Sequence, residues 1–129
     1  MNALDENLTS VLKEIADELY PDMIAFGRKL VQTPSISGTE KELADLDMAE
    51  MQKLGYDEVF RDSQGNVVGM VKGTEPGPTI MYNSHMDHVS PGDAANWEGY
   101  DPYGGQIDIC RVDTQDKTPD EAECIHGRG

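Results

Sequence analysis

Basic residues, cysteines and long apolar runs are all scarce in this sequence of 129 residues. Ten lysines and arginines stand against 25 acidic residues, and the net charge of −15 repels nucleic-acid phosphates and anionic lipids. No uncharged apolar run approaches the roughly 20 residues of a membrane span, and the first residues lack the pattern of a secretory signal. We therefore expect a cytoplasmic protein that binds neither nucleic acid nor membrane.

With only two cysteines, Cys110 and Cys124, the chain cannot form a disulfide-rich scaffold, and it contains no Cys-x-x-Cys pair of a zinc knuckle. In a reducing compartment we expect both to be free thiols, although an antiparallel pairing of their segments could bring them close together.

The length and the hydrophobic content of 37% suffice for one domain with a core and are too small for two.

Apolar residues recur every three or four positions from about residue 6 to residue 19, which predicts an amphipathic helix. Pro21 is expected to end this helix or to open a second one over 23–31. Thr39 and Glu42 match a capping box, which predicts a third helix that runs to residue 54 and stops at Gly55.

The remaining segments predict strands joined by turns. The patterns predict a hairpin of 58–61 with 67–71, a buried strand over 79–83 near the middle of a sheet, and a strand over 105–112 to which 122–126 returns antiparallel. Between the last two, 113–120 is expected to be a loop, with 114–118 as a hairpin extension. The expected fold class is α/β, with the N-terminal helices packed on part of a mixed sheet.

The chemically most informative stretch is Ser-His-Met-Asp-His at 84–88, at the end of the predicted strand 79–83, where ligand sites in α/β proteins are commonly built. His85 and Asp87 are two positions apart, so in extended backbone their side chains project from the same face. A metal-binding imidazole needs an acceptor at its second ring nitrogen, and Asp87 can provide one directly or through its backbone. A His-x-Asp triplet alone is a weak signal, and a structural histidine at a strand end is an equally good interpretation.

Four islands make the pattern specific. They are Leu-Val-Gln-Thr-Pro-Ser-Ile-Ser-Gly-Thr-Glu at 30–40, Ser-His-Met-Asp-His-Val at 84–89, Trp97 with Asp-Pro-Tyr-Gly-Gly at 101–105, and Gly-Arg-Gly at 127–129. Their order and spacing resemble the zinc peptidase and deacylase family of aminoacylase, carboxypeptidase G, acetylornithine deacetylase and succinyl-diaminopimelate desuccinylase. Within that family, the sequence His-Met-Asp-His-Val at 85–89 is most similar to hydrolases associated with selenium metabolism.

The resemblance implies a metal-dependent hydrolase of amide bonds in small peptides or N-acyl amino acids, with two zinc ions, or cobalt or manganese, that activate a water molecule. It implies His85 as the first zinc ligand and Asp87 as the catalytic carboxylate that orients this histidine. Segment 101–105 would shape the approach to the site. A homodimer is implied for the full-length protein.

The resemblance also implies that residues 1–129 are the N-terminal part of an incomplete zinc-peptidase catalytic domain. In the family, a bridging aspartate, a glutamate pair that includes the general base, further ligands and a lid domain follow the Gly-Arg-Gly turn. None of these lies in this sequence, and catalytic zinc generally needs three protein ligands. On this interpretation the 129 residues alone are expected to be inactive.

Two other functions compete with this hypothesis. Asn83-x-His85-x-Asp87-His88 matches the His-x-His-x-Asp-His motif of metallo-β-lactamase-type hydrolases at every position but the first. The helical N-terminal third argues against that fold, which begins with strands. The other alternative is a non-catalytic domain whose acidic surface binds a partner protein and whose histidines are structural. His88 and His126 are interpreted as structural histidines that bind no metal, because His88 faces away from His85 in extended backbone and His126 precedes the Gly-Arg-Gly turn.

Overall fold

The computed structural model describes residues 3–113 and 119–128, which form two α-helices, a short 3₁₀ helix and two antiparallel hairpins. Helix α1 spans Ala3–Gln32 and α2 spans Lys41–Lys53; strands β1 (Glu58–Arg61) and β2 (Val67–Met70) form one hairpin, and β3 (Gln106–Asp113) and β4 (Pro119–His126) form the other. The 3₁₀ helix spans Ala94–Trp97. The fold is thus broadly α/β, as expected. The prediction of a mixed sheet was wrong for the described residues, because both of their sheets are two-stranded and antiparallel.

Helix α1 continues through Pro21, so the prediction that two helices meet at this proline was wrong. An interior proline removes one backbone hydrogen bond, but Asp17, whose carbonyl loses its donor, is exposed and accessible to water. Tertiary contacts hold the helix on both sides of the proline. Tyr20 donates to Glu123 on β4, and Arg28 Nε donates to the carbonyl of Gly105 at 2.9 Å.

Helix α2 confirms the predicted third helix, but its capping box is not formed. The N-cap is Glu40, whose side chain makes no capping hydrogen bond, and the Thr39 hydroxyl donates to the carbonyl of Ile36 at 2.7 Å. The hydroxyl therefore closes the preceding turn, and the N-cap position passes to Glu40. Leu43 and Ala44 on α2 are the buried hydrophobic residues of the described chain.

The β1–β2 hairpin is confirmed, with Phe60 opposite Val68. Its turn is closed by Asp62, whose carboxylate accepts the backbone N–H groups of Gln64 and Asn66 at 2.8 and 2.9 Å. This is the Asx-type turn that favours Asp at the first position. The hairpin packs on α2, where Arg61 donates to Asp45 at 2.7 Å.

Residues 79–83 form no strand, and the prediction of a buried central strand was wrong. Ile80, Met81 and Tyr82 are 73%, 84% and 91% exposed. An apolar segment becomes a central strand only when strands on both sides accept its backbone hydrogen bonds. None of the described strands lies beside it.

The β3–β4 hairpin confirms the antiparallel return of the last segment, although its strands are longer than predicted. They reach residues 113 and 119, and the expected extension at 114–118 lies outside the described residues. The hairpin lies against α1, where a Cβ at Gly27 would be 3.2 Å from Ile125. Among the helices described, none has the length and apolarity that a membrane crossing needs.

Candidate active site around His85

The first candidate residue, His85, is oriented by its own neighbour in the chain. Its Nδ1 lies 2.7 Å from the backbone carbonyl of Asp87 and 3.4 Å from Oδ1 of the same residue. A carbonyl can only accept, so Nδ1 carries the proton and Nε2 keeps a free lone pair. The side chain of His85 is 82% exposed, which leaves Nε2 accessible.

Asp87 is held in turn by the loop that follows α1. The hydroxyl of Ser37 donates to Oδ2, and this hydrogen bond holds the pKa of Asp87 below its usual value, with the nearby His85 ring lowering it further. Asp87 is therefore ionised at neutral pH. Ser37 lies in one of the matched islands, but no feature of the sequence predicted this contact.

His88 is fixed in a different way from His85, because both of its ring nitrogens have partners. Nε2 accepts the backbone N–H of Ser35 at 2.9 Å, and Nδ1 lies 2.8 Å from the carbonyl of Val89. The backbone N–H of His88 also donates to the carbonyl of Ser35 at 2.9 Å, within an isolated parallel bridge between Ile36 and His88. His88 thus joins residues 35–37 to 85–88 and has no free lone pair for a metal ion.

The segment after β4 completes the site. An open cavity of about 560 Å³ is lined by residues of both segments: His85, Asp87, His88, Val89, Gly127 and Arg128. The backbone N–H of Arg128 donates to the carbonyl of Pro102 at 2.8 Å, and the ring of Tyr103 lies 5.6 Å from that of His88. The sequence predicted Arg128 only as part of a turn, and in the structure it lines the same cavity as His85.

The described residues do not by themselves form a metal site. Within 3–113 and 119–128, no three His, Cys, Asp or Glu side chains are grouped so that they could hold a metal ion. One imidazole with a free Nε2 and an acceptor at Nδ1 fits a single zinc ligand. The described residues therefore account for the orientation of one candidate metal ligand and for no step of a hydrolysis.

His126, the third histidine, lies apart from this cavity lining and on the face of the β3–β4 hairpin. Its ring stacks on Tyr100 with centroids 4.2 Å apart, and its Nε2 lies 3.3 Å from Cys110 Sγ. The structure thus brings His85 and Asp87 together and assigns His126 to a different cluster.

Comparisons with known proteins show a distant sequence similarity between this chain and hydrolases. No family model and no solved structure matches it. It is 38% identical over 96 residues to the uncharacterized protein YgeY of Escherichia coli K12, an alignment that covers 74% of this chain and 23% of the relative. It is 30% identical over 96 residues to a succinyl-diaminopimelate desuccinylase of Rhodospirillum centenum, covering 69% of this chain and 24% of the relative.

A third relative is an N-acyl-L-amino acid amidohydrolase of Geobacillus stearothermophilus, 29% identical over 76 residues, with 59% of this chain and 20% of the relative covered. The chain spans about a quarter of the length of the relatives that it matches. Two of the three relatives are named as hydrolases of acylated amino compounds, so the sequence has a distant link to a hydrolase family.

Proposed function

We propose that this chain is the N-terminal part of a metal-dependent hydrolase that cleaves amide bonds in N-acyl amino acids or small peptides. The observation that carries the proposal is the orientation of His85, whose Nδ1 is bound to the Asp87 carbonyl and whose side chain is exposed and lines the open cavity. The desuccinylase and amidohydrolase names of two relatives agree with this reaction class.

His85 would contribute one ligand to zinc, and Asp87 would fix its ring and raise its basicity. When bound, zinc lowers the pKa of a bound water and polarises the carbonyl of the scissile amide. The catalytic domain, its second zinc ion, the remaining ligands and a homodimer of the whole protein are all part of the proposal, which the family resemblance of the four islands supports.

Arg128 indicates how a substrate could be held in the same cavity. An N-acyl amino acid carries a free carboxylate, and a guanidinium binds a carboxylate through two parallel hydrogen bonds. Arg128 is a cation that lines the cavity beside His85, in a protein of net charge −15. We assign the recognition of the substrate carboxylate to this residue.

The test uses the whole protein that the gene for this chain naturally encodes, purified and loaded with zinc. We expect it to hydrolyse N-acetyl amino acids, and we expect His85→Ala to remove bound zinc and to lower kcat/KM by at least about 100-fold. Arg128→Lys should raise KM with a smaller effect on kcat, because Lys keeps the charge and loses the bidentate geometry.

Ser84→Ala is the matched control, since the Ser84 hydroxyl makes a single weak contact, 3.4 Å from the carbonyl of His85, and lies outside the cavity lining. Its zinc content and activity should equal those of the wild type. Equal zinc content in the wild type and in His85→Ala overturns the role of His85. If the naturally encoded protein binds no metal and hydrolyses no amide, the non-catalytic alternative is favoured.

A further inference from the structure

Two thiols share one face of the β3–β4 hairpin, away from His85. Asp108 lies opposite Cys124, and Cys110 lies opposite Ala122. Side chains alternate between the faces of a strand, so the two cysteines lie on the same face and are diagonal neighbours. Both are free and half-buried.

The two thiols are diagonal neighbours across the hairpin, and a histidine lies beside Cys110. The thiol of Cys110 is hydrogen bonded to Cys124, and its Sγ lies 3.3 Å from Nε2 of His126. The His126 ring is held by stacking on Tyr100 and lies 3.7 Å from a carboxylate oxygen of Asp108. A thiol pair with an adjacent imidazole is the arrangement in which one sulfur can be oxidised and the other can then displace the product.

We propose that Cys110 and Cys124 form an oxidation site at which a hydroperoxide converts the two thiols into an intrachain disulfide, with His126 as the base that takes the Cys110 proton. In the first step, the Cys124 thiolate attacks one peroxide oxygen, and the O–O bond breaks. Cys124 becomes a sulfenic acid, and the other oxygen leaves as hydroxide, which takes up from solvent the proton that the Cys124 thiol released on ionising and so forms water.

In the second step, Cys110 sulfur attacks the sulfur of the Cys124 sulfenic acid, and the S–O bond breaks. The S–S bond forms, and the displaced hydroxide leaves as water with the proton that His126 accepted from Cys110. In sum, two thiols and one hydrogen peroxide give one disulfide and two waters, so sulfur is oxidised and peroxide oxygen is reduced.

The order of the two cysteines follows from their contacts. The hydrogen bond to Cys124, together with burial, raises the pKa of Cys110, so Cys110 keeps its proton until His126 accepts it. His126 is then close enough to deprotonate Cys110 in the second step. Cys124 is therefore the cysteine that reacts with the peroxide, and Cys110 is the one that resolves the sulfenic acid on Cys124.

The test treats the reduced, metal-free chain with a few equivalents of hydrogen peroxide and measures intact mass and free thiols. We expect a loss of about 2 Da, the disappearance of both thiols and a chain that stays monomeric on a non-reducing gel. In guanidinium chloride the same reaction should be at least about 10-fold slower, because unfolding separates the two strands. An unchanged mass, or a disulfide between two chains, overturns the proposal.

Two single variants test the order of events. Cys110→Ser should stop at a sulfenic acid on Cys124 that dimedone traps, whereas Cys124→Ser should react at least about 10-fold more slowly. His126→Asn, which keeps a similar shape, should let the sulfenic acid accumulate before the disulfide forms. The reverse pattern, in which Cys124→Ser stops at a sulfenic acid on Cys110, contradicts the assigned roles. These readouts do not depend on the activity proposed for His85.

Discussion

The hydroxyl of Ser37 donates a hydrogen bond to Oδ2 of Asp87, across 50 positions of the sequence. Through this bond, the loop between α1 and α2 holds the carboxylate of the residue whose backbone carbonyl orients His85. The position of the candidate metal ligand therefore depends on a loop that is distant in sequence.

Replacing Ser37 by Ala should loosen this connection and lower the melting temperature at pH 7 by about 2–4 °C, since a charged acceptor loses its hydroxyl donor. Ser37→Thr keeps the hydroxyl and should restore most of the loss. Differential scanning calorimetry of the three proteins, with Ser84→Ala as the control, measures the effect. Equal melting temperatures for Ser37→Ala and wild type would show that the hydrogen bond contributes nothing in solution.

Gly127 makes the closest backbone approach between the end of β4 and α1. A Cβ at this position would overlap Cγ1 of Val31 and would lie 3.1 Å from the carbonyl of Pro102. Gly127→Ala should therefore destabilise the chain by about 1–3 kcal/mol, the usual cost of overpacking. The neighbouring Arg128 should shift with it.

Gly77→Ala is the matched control for Gly127→Ala, because a Cβ at Gly77 meets nothing within 4 Å and its φ is not positive. Urea denaturation of both variants gives the free energies of unfolding. If Gly127→Ala is as stable as Gly77→Ala, the packing of the last segment against α1 differs from the one described.

Local patterns predicted most helices and hairpins here because those elements are decided by neighbouring residues. The Asp62 turn, which two backbone amides close, is one example. Elements that depend on distant partners were predicted poorly. Segment 79–83 has the composition of a buried strand but has no described strand beside it, and α1 continues through Pro21 where contacts with β3–β4 residues support it.

The candidate site shows the same division. An acceptor for His85 at Asp87 could be predicted from their spacing, and the structure uses the backbone carbonyl at 2.7 Å rather than the carboxylate at 3.4 Å. The contacts of Ser35 and Ser37 with residues 87 and 88 could not be predicted, because no periodicity relates two loops that meet only in the folded chain. The roles of His85 and Asp87 in catalysis remain predictions.

Asp47 on α2 gives a pH-dependent prediction, because it is an acidic residue in an apolar groove. The groove between α1 and α2 is lined mainly by apolar side chains, among them Leu19, Met23, Phe26 and Met51. Burial raises the pKa of Asp47 above its ordinary value of 3.8. The folded state therefore favours the protonated carboxyl, and the ionised form opposes folding at neutral pH.

Asp47→Asn mimics the protonated carboxyl and should raise the melting temperature at pH 7 by about 1–3 °C, as expected for a half-buried position. As pH falls through the raised pKa toward 3.8, the wild type takes up a proton on folding and gains stability, so the difference between the two proteins should shrink. Calorimetry at pH 7, 5 and about 3.5 measures this difference.

Asp45→Asn is the control of opposite sign on the same helix. The ion pairs of Asp45 with Lys41 and Arg61 hold its pKa below the usual value, so the ionised form favours folding. Asp45→Asn should therefore lower the melting temperature at pH 7, and that loss should fade as pH falls through the lowered pKa. If both substitutions change the melting temperature in the same direction, burial in the groove is not what sets the pKa of Asp47, and the carboxylate must find a compensating cation in solution.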